Sequence, residues 1–383
     1  MLLPTLYSRR SDGAVQTWVM EVEGNGYRSH SGIEGGSIVT GDWTYATPKN
    51  EGRANATTAE EQALLEAQSH WNKKKERKYS ENLNSIDTDR IYQCQLAKEY
   101  KKEQKFVIEA FKKGKRVFQL PKLDGIRDVF IDGVSMTRQG KVHQAVPHIN
   151  RLLVPFVDRF AVNNIDLIVD GELYADKYNN DFNDLCSIIR KGKPTQADIE
   201  KSEQEVQYHV YDLPCIEADF SERRAVLEQL VDVINHPSIV LVECVEVFSL
   251  DDIEANHERW LEAGYEGSMI RVDGPYENKR SKYLLKYKNF IEAEFLLDTF
   301  SEGVGKRAGM AARVTIRNLD GSIIYGENGQ QAAANIIGDF TYCRQLLKDA
   351  PNLFGQIATL KFFRYGKTGA PYLPHLKAIR DYE

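Results

Sequence analysis

No run of apolar residues in this 383-residue chain is long enough to cross a bilayer. The opening Met-Leu-Leu-Pro-Thr-Leu-Tyr-Ser-Arg-Arg lacks the order and length of a secretory signal. Both absences argue against a membrane protein. Cysteines are few and scattered: Cys94, Cys186, Cys215, Cys244 and Cys343 form no Cys-x-x-Cys pair. That excludes a four-cysteine zinc site and a disulfide framework, and points to a reducing cytoplasm. The eight histidines show no metal-binding spacing such as His-Glu-x-x-His, and no repeat or low-complexity tract is present. A net charge of -6 speaks against a protein that coats nucleic acid without specificity. Positive charge is unevenly placed, however. Between Lys98 and Arg116 there are eight Lys/Arg against three Glu, which leaves room for a local basic groove.

The length exceeds what one small core fills, so two or three domains are expected. Residues 1–56 read as a small β-rich unit. Its strands are Thr17 to Val22 and Ser37 to Tyr45, separated by Gly24-Asn25-Gly26 and Gly35-Gly36 turns. A helix and connector cover 57–95, with Thr58 and Glu61 as a capping box and a basic end at Lys73, Lys74 and Lys75. Those lysines suit a phosphate backbone, and a solvated helix end favoured by the macrodipole explains them equally well. Residues 96–292 alternate strands and helices as in an α+β domain: a helix over 97–113, then strands at Val117 to Leu120, Ile165 to Tyr174, Val206 to Tyr211 and Ile239 to Val247. Residues 293–383 are short strands with turns and one helix, the pattern of a small β-barrel such as an OB-fold.

Lys122, Asp124, Gly125 and Arg127 form a Lys-x-Asp-Gly-x-Arg signature, and Asp132-Gly133 beyond it reads as a type I′ hairpin turn. Counting back from that turn sets Arg127 opposite Arg138. Two like charges at one cross-strand position repel, so the register predicts an anion between them, a phosphate-bearing ligand close to Lys122. A lysine nucleophile needs a neutral amine, which burial or neighbouring cations provide. Further along stand Val169-Asp170-Gly171-Glu172-Leu173, Tyr208-His209-Val210-Tyr211-Asp212, Tyr265-Glu266-Gly267-Ser268-Met269-Ile270-Arg271, and Leu284-Leu285-Lys286-Tyr287-Lys288. Lys286 and Lys288, two apart, share one face of a strand.

In these motifs, their order and their spacing, the chain resembles the ATP-dependent DNA ligases, within the covalent nucleotidyltransferases that also include mRNA capping enzymes. The resemblance covers about residues 117 to 292, and the C-terminal region more thinly. It implies a nucleotidyltransferase domain of antiparallel sheets and helices followed by an OB-fold, and sealing of 5′-phosphate/3′-hydroxyl nicks in double-stranded DNA. It implies that Lys122 attacks the α-phosphorus of ATP to form lysyl-AMP. Arg127 and Arg138 then hold phosphate or ribose oxygens, and Glu172 contacts the ribose or a metal. Tyr211 stacks on adenine, with Tyr208 as the competing aromatic. Glu266 binds Mg²⁺, for which Mn²⁺ can substitute, and Lys286 and Lys288 neutralise the α-phosphate. Arg380, or else Lys377, orients the pyrophosphate, although the family's usual Arg-x-Asp-Lys ending is absent. Arg271 and Arg280 join Lys73, Lys74 and Lys75 as contacts to DNA phosphates. The same resemblance points to a monomer serving DNA repair, replication or recombination in a bacterial or phage-infected cytoplasm, with a nucleus also open. An RNA ligase or a capping guanylyltransferase shares the nucleophile motif, and a nucleic-acid-binding protein on a degenerate scaffold is the non-enzymatic alternative.

Overall fold

The computed structural model describes residues 1–383 apart from 11, 77–78, 87–91, 132, 162–165, 179–181 and 381–383. Two compact units result, Met1–Lys288 and Asn289–Glu383.

The first unit begins with a five-stranded sheet. Val15–Glu23 and Gly26–Ile33 form its long hairpin, flanked by Leu6–Arg9, Ile38–Thr40 and Thr44–Tyr45. Gly26–Ile33 is a strand that the sequence reading left between two turns. Its Gly-Tyr-Arg-Ser-His-Ser-Gly-Ile carries one large inward apolar residue, Tyr27, so the usual alternation is barely written in it. The helix Ala59–Lys75 covers one face. Thr58 Oγ1 accepts from Glu61 N at 3.2 Å and Glu61 Oε2 accepts from Thr58 N at 2.8 Å, which satisfies two of the backbone donors left open at a helix start. Ala63, Ala67 and Trp71 lie at helical spacing and pack on Leu6, Trp18, Met20 and Val22. Trp71 Nε1 donates to Pro4 O at 2.8 Å.

Two further five-stranded sheets build the body of the unit. One runs Ile239–Leu241, Gln207–Asp212, Ile168–Tyr174, Ile126–Ile131, Val134–Met136; the other runs Val245–Val247, Val117–Lys122, Gly267–Val272, Arg280–Lys288, Leu96–Glu99. Each holds one parallel pair, so the expected antiparallel sheets are mixed ones. Two other expectations change. Leu96–Glu99 is a strand rather than the start of a helix, because it is paired in parallel with Arg280–Lys288; the helix is Tyr100–Lys112. The run from Ile239 to Val247 splits into two short strands that serve different sheets. The expected turn at Asp132-Gly133 falls on a residue outside the described set. The helices Pro147–Ala161, Phe182–Ile189 and Phe220–Ile234 bury their apolar stripes around Phe130, Val169, Leu173 and Tyr208. Each such aromatic or aliphatic side chain contributes roughly 1.5–3 kcal/mol of burial free energy.

The second unit is a closed barrel of Ile291–Glu302, Ala311–Arg317, Ala333–Asn335, His375–Ile379 and Ile357–Phe362, with the helix Phe340–Leu353. Leu297, Val314, Ile316, Ala334, Leu360 and Phe362 fill it. Among the described residues no helix is long and apolar enough to cross a membrane.

Candidate active site

The Lys-x-Asp-Gly-x-Arg signature is the crossing point between the two sheets. Lys122 ends Val117–Lys122 in one, and Arg127 lies at the start of Ile126–Ile131 in the other. Gly125 sits where the crossing meets the strand Ile168–Tyr174. A Cβ there would lie 2.5 Å from Leu173 O and 2.6 Å from Glu172 Cγ, so only glycine lets the strands approach.

On the Lys122 side, the register places Gly267 opposite both Lys122 and Lys288. Glu266, just before it, takes Lys122 Nζ on Oε2 and Lys288 Nζ on Oε1, and its backbone N donates to Lys122 O at 3.0 Å. Three strands thus bring two amines onto one carboxylate. Burial, then the charge of Lys122, holds the Lys288 ammonium down to about 8. Lys286 shares the strand face of Lys288, and its charge also acts on that amine.

Beside the pair is a cavity of about 160 Å³. Its apolar walls are Leu120, Leu123, Val242, Met269, Leu284 and the ring of Tyr211; its polar groups are Lys122, Arg127, Glu172 and Arg271. Tyr211 therefore faces this space. Tyr208, of opposite parity, is fully buried with its hydroxyl 2.7 Å from Val169 O and 3.1 Å from Asp128 O. Glu172 pairs with no described residue, and burial pushes its carboxyl up to about 7 against the pull of Lys122 and Arg127.

Those two displaced groups give stability a pH dependence. Between about 4.5 and 7 the native Glu172 keeps a proton that the unfolded chain has released, so stability falls as pH rises through that window. Between about 8 and 10.5 the unfolded chain keeps the Lys288 proton that the native state has lost, so stability rises there. Glu172→Gln removes the first limb. The stability advantage of this variant over wild type is expected to grow by ~1–3 kcal/mol from pH 5 to pH 7.5 in denaturant melts. An advantage equal at both pH values is incompatible with a buried, proton-holding Glu172.

Arg127 and Arg138, expected to face each other across an anion, are not cross-strand partners in the described ladder. Pairing follows the counted register, Ile131 with Val134 and Phe130 with Ser135, but the ladder stops at Val129 with Met136. Arg127 turns to Asp170 instead, Nε to Oδ1 at 2.9 Å and Nη2 to Oδ2 at 2.5 Å. Arg138 lines a second cavity of about 610 Å³ with Thr137, Lys141, Arg190 and Lys191, and Arg127 lines that one too. Arg271, expected on the DNA side, is 3% exposed and donates from Nη1 to Asp212 Oδ2 at 2.5 Å. It is a wall of the first cavity and is not available to a duplex. Asp212 also carries Arg223, through 2.7 and 3.1 Å hydrogen bonds. Arg280 is exposed and donates to Ala97 O at 2.5 Å. Lys73 is exposed, Lys74 lies over the rings of Trp18 and Tyr79, and Lys75 pairs with Glu81 at 2.5 Å. In the barrel unit, Arg380 Nε donates to Thr359 Oγ1 at 2.8 Å, and Lys377 pairs with Glu292 at 2.5 Å.

Sequence reading passed over Asp170, Asp212, Tyr276, Arg190 and Lys191. Asp170 was visible beside Glu172 and at the same strand parity, which is the one signal that could have exposed it. The others are joined only by the fold.

Among the described residues no group of three or more His, Cys, Asp or Glu gathers as a metal cluster. Glu172 and Glu266 together offer a small oxygen donor set. That fits a hard divalent cation which takes its remaining ligands from phosphate and water.

A lysine and carboxylate at the crossing of two mixed sheets, beside a largely apolar slot, define a nucleotidyltransferase type of site. The family model of the ATP-dependent DNA ligase domain matches residues 94–288, half of the chain, and the chain belongs to that family. The DNA ligase of Nanoarchaeum equitans is 31% identical over 169 residues, which cover 40% of this chain and 29% of that one. The DNA ligase of Haemophilus influenzae is 24% identical over 209 residues, 54% of this chain and 70% of that one. The chain thus spans less than a third of the archaeal relative. A solved Lig E DNA ligase shares the fold, with a TM-score of 0.56 and 24% identity over 75% of this chain and 98% of that one.

Proposed function

We propose that this chain seals 5′-phosphate/3′-hydroxyl nicks in double-stranded DNA, using ATP and a covalent lysyl-AMP intermediate. The observation that carries the reading is Lys122, held by Glu266 at the edge of the cavity whose wall includes Tyr211 and Glu172. The amine of Lys122, its proton passed to the Glu266 carboxylate, attacks the α-phosphorus of ATP. A P–N bond forms and pyrophosphate leaves. An oxygen of the DNA 5′-phosphate then attacks the same phosphorus, which breaks the P–N bond and returns the lysine. Finally the 3′-hydroxyl attacks the adenylated 5′ end, the phosphodiester forms, and AMP leaves. Lys286 and Lys288 bring positive charge to the α-phosphate, and Tyr211 gives the adenine a flat partner. Such transfers depend on positioning and charge compensation. Mg²⁺, held by Glu172 and Glu266, would polarise the phosphate oxygens.

In this reading residues 96–292 are the adenylation domain and 293–383 an OB-fold, its Arg380 or Lys377 directed to the pyrophosphate. Residues 1–56 and the basic end of the following helix add grip on the duplex through Lys73, Lys74 and Lys75, with Arg280. Arg138 lies at the second cavity, where Lys141, Arg190 and Lys191 accompany it, and is assigned to phosphate there rather than in the nucleotide slot. The protein acts as a monomer in the cytoplasm.

The test is ligation of nicked duplexes in all four DNA/RNA strand combinations with ATP and Mg²⁺, alongside labelling by radioactive ATP or GTP. Sealing of the all-DNA nick with label from ATP alone is expected. Label from GTP alone would make the chain a guanylyltransferase, and sealing confined to RNA strands would make it an RNA ligase.

A further inference from the structure

Arg127 lines both cavities of the first unit, so the direction of its guanidinium matters to whatever occupies either. A guanidinium has five N–H donors. Two go to Asp170, Nε to Oδ1 and Nη2 to Oδ2. Nη1 donates to Gln95 O at 2.7 Å, and Nη2 also reaches Tyr276 Oη at 3.3 Å. One Nη1 hydrogen is left over among the described residues.

Tyr276 is the hub of this arrangement. Its hydroxyl donates to Asp170 Oδ2 at 2.7 Å and accepts from Gln95 N at 2.9 Å, in addition to the Arg127 contact. Gln95 is therefore gripped at both its backbone groups, its N by Tyr276 and its O by Arg127. It directly precedes Leu96–Glu99, the edge strand whose Ala97 lines the first cavity. Tyr276 itself lies in the segment between Gly267–Val272 and Arg280–Lys288, outside every motif the sequence singled out. Four pieces of chain, far apart in sequence, meet at one phenol.

Resting on the nucleotidyl-transfer reading above, we infer that Tyr276 is a positioning residue: through its hydroxyl it fixes the Arg127–Asp170 pair and so aims the last Arg127 N–H at the phosphates. Apart from Ala97, the apolar walls of the slot come from residues outside this hydrogen-bonded cluster. Loss of the hydroxyl therefore changes the rate of transfer more than nucleotide affinity. Tyr276→Phe keeps the ring, which stays near the Arg223 guanidinium, 5.7 Å from its centroid in the native protein.

The experiment is single-turnover formation of lysyl-AMP by the full chain over a range of ATP concentrations. Wild type, Tyr276→Phe, Arg127→Gln and the double variant are compared. Tyr276→Phe is expected to lower the saturating rate by about tenfold, the effect of losing a hydrogen bond to a charged group, with half-saturating ATP within about twofold of wild type. Arg127→Gln should lower the rate at least as far. In the double variant the tyrosine change should add less than twofold, because its target is gone. Independent, multiplying effects in the double variant would overturn the inference, as would a Tyr276→Phe defect confined to ATP affinity. Asp170→Asn, which weakens the carboxylate contacts to both Arg127 and the phenol, should reproduce the rate defect; a normal rate there also overturns it. A wild-type chain that takes no label would instead refute the underlying function.

Discussion

Lys122→Ala is expected to erase the covalent nucleotide adduct, by about 10³-fold or more in labelling rate, while the protein folds as before. The reason lies in the geometry around Glu266. Two amines touch that carboxylate, but only Lys122 also lines the first cavity. Lys288, although burial holds its ammonium down to about 8, is absent from that lining. A nucleophile must reach the phosphorus in line with the leaving group, and a lower pKa does not compensate for a wrong position. Loss of the Lys122 side chain leaves Glu266 paired with Lys288. The expected cost in stability is therefore about 1 kcal/mol or less for a partly exposed pair. The measurement is acid-stable versus acid-labile label from radioactive ATP on denaturing gels, run beside a thermal melt. Adduct retained by a well-folded Lys122→Ala protein would move the nucleophile elsewhere, with Lys288 next to be replaced.

The second large effect concerns a residue with no side chain. Gly267→Ala is expected to destabilise the first unit by about 2–6 kcal/mol and to abolish labelling along with it. Gly267 has φ +143°, and a Cβ there would stand 2.3 Å from Tyr287 O and 3.2 Å from His257 Cε1. Backbone strain at such a φ costs roughly 1–3 kcal/mol, and overpacking against a fixed carbonyl roughly another 1–3. The carbonyl cannot retreat easily. Tyr287 stacks on His257 at 3.7 Å between centroids, its hydroxyl donates to Glu254 at 2.7 Å, and Ser268 Oγ is tied to His257 and Gln119. Any shift that relieves the clash parts the Gly267–Val272 strand from the one carrying Lys286 and Lys288. Gly321→Ala, at φ +84° but with open space around it, is the comparison that isolates the contact from the dihedral. A Gly267→Ala protein that melts with wild type and labels normally is inconsistent with this strand packing.

The motifs could be read in sequence because each places its chemistry within a few residues. Lys122 with Arg127, and Lys286 with Lys288, are local patterns whose faces follow from strand periodicity. The hairpin argument shows where local reasoning ends. It set Arg127 opposite Arg138 and expected a ligand between them. In the fold the described ladder ends at Val129 with Met136, and Arg127 pairs with Asp170 on the neighbouring strand Ile168–Tyr174, which meets Ile126–Ile131 only in the folded sheet. Arg271 was misjudged for the same reason. The resemblance made it a contact to DNA phosphate, yet in the fold it is buried against Asp212, which Arg223 also holds.

By itself, the sequence determined the chemistry: which lysine, which carboxylates and which aromatic stand in an order suited to moving a nucleotide. It also determined the start of the first helix, at Thr58 with Glu61, because a cap is made within four residues. The tertiary structure alone decided which charges are answered from inside. It turned Arg127 toward Asp170 and Tyr276, gave Lys122 and Lys288 one shared carboxylate, and set Arg138 beside a different cavity. Charge pairing in a protein is fixed by distance across sheets, and that distance is not written in the spacing of residues along a chain.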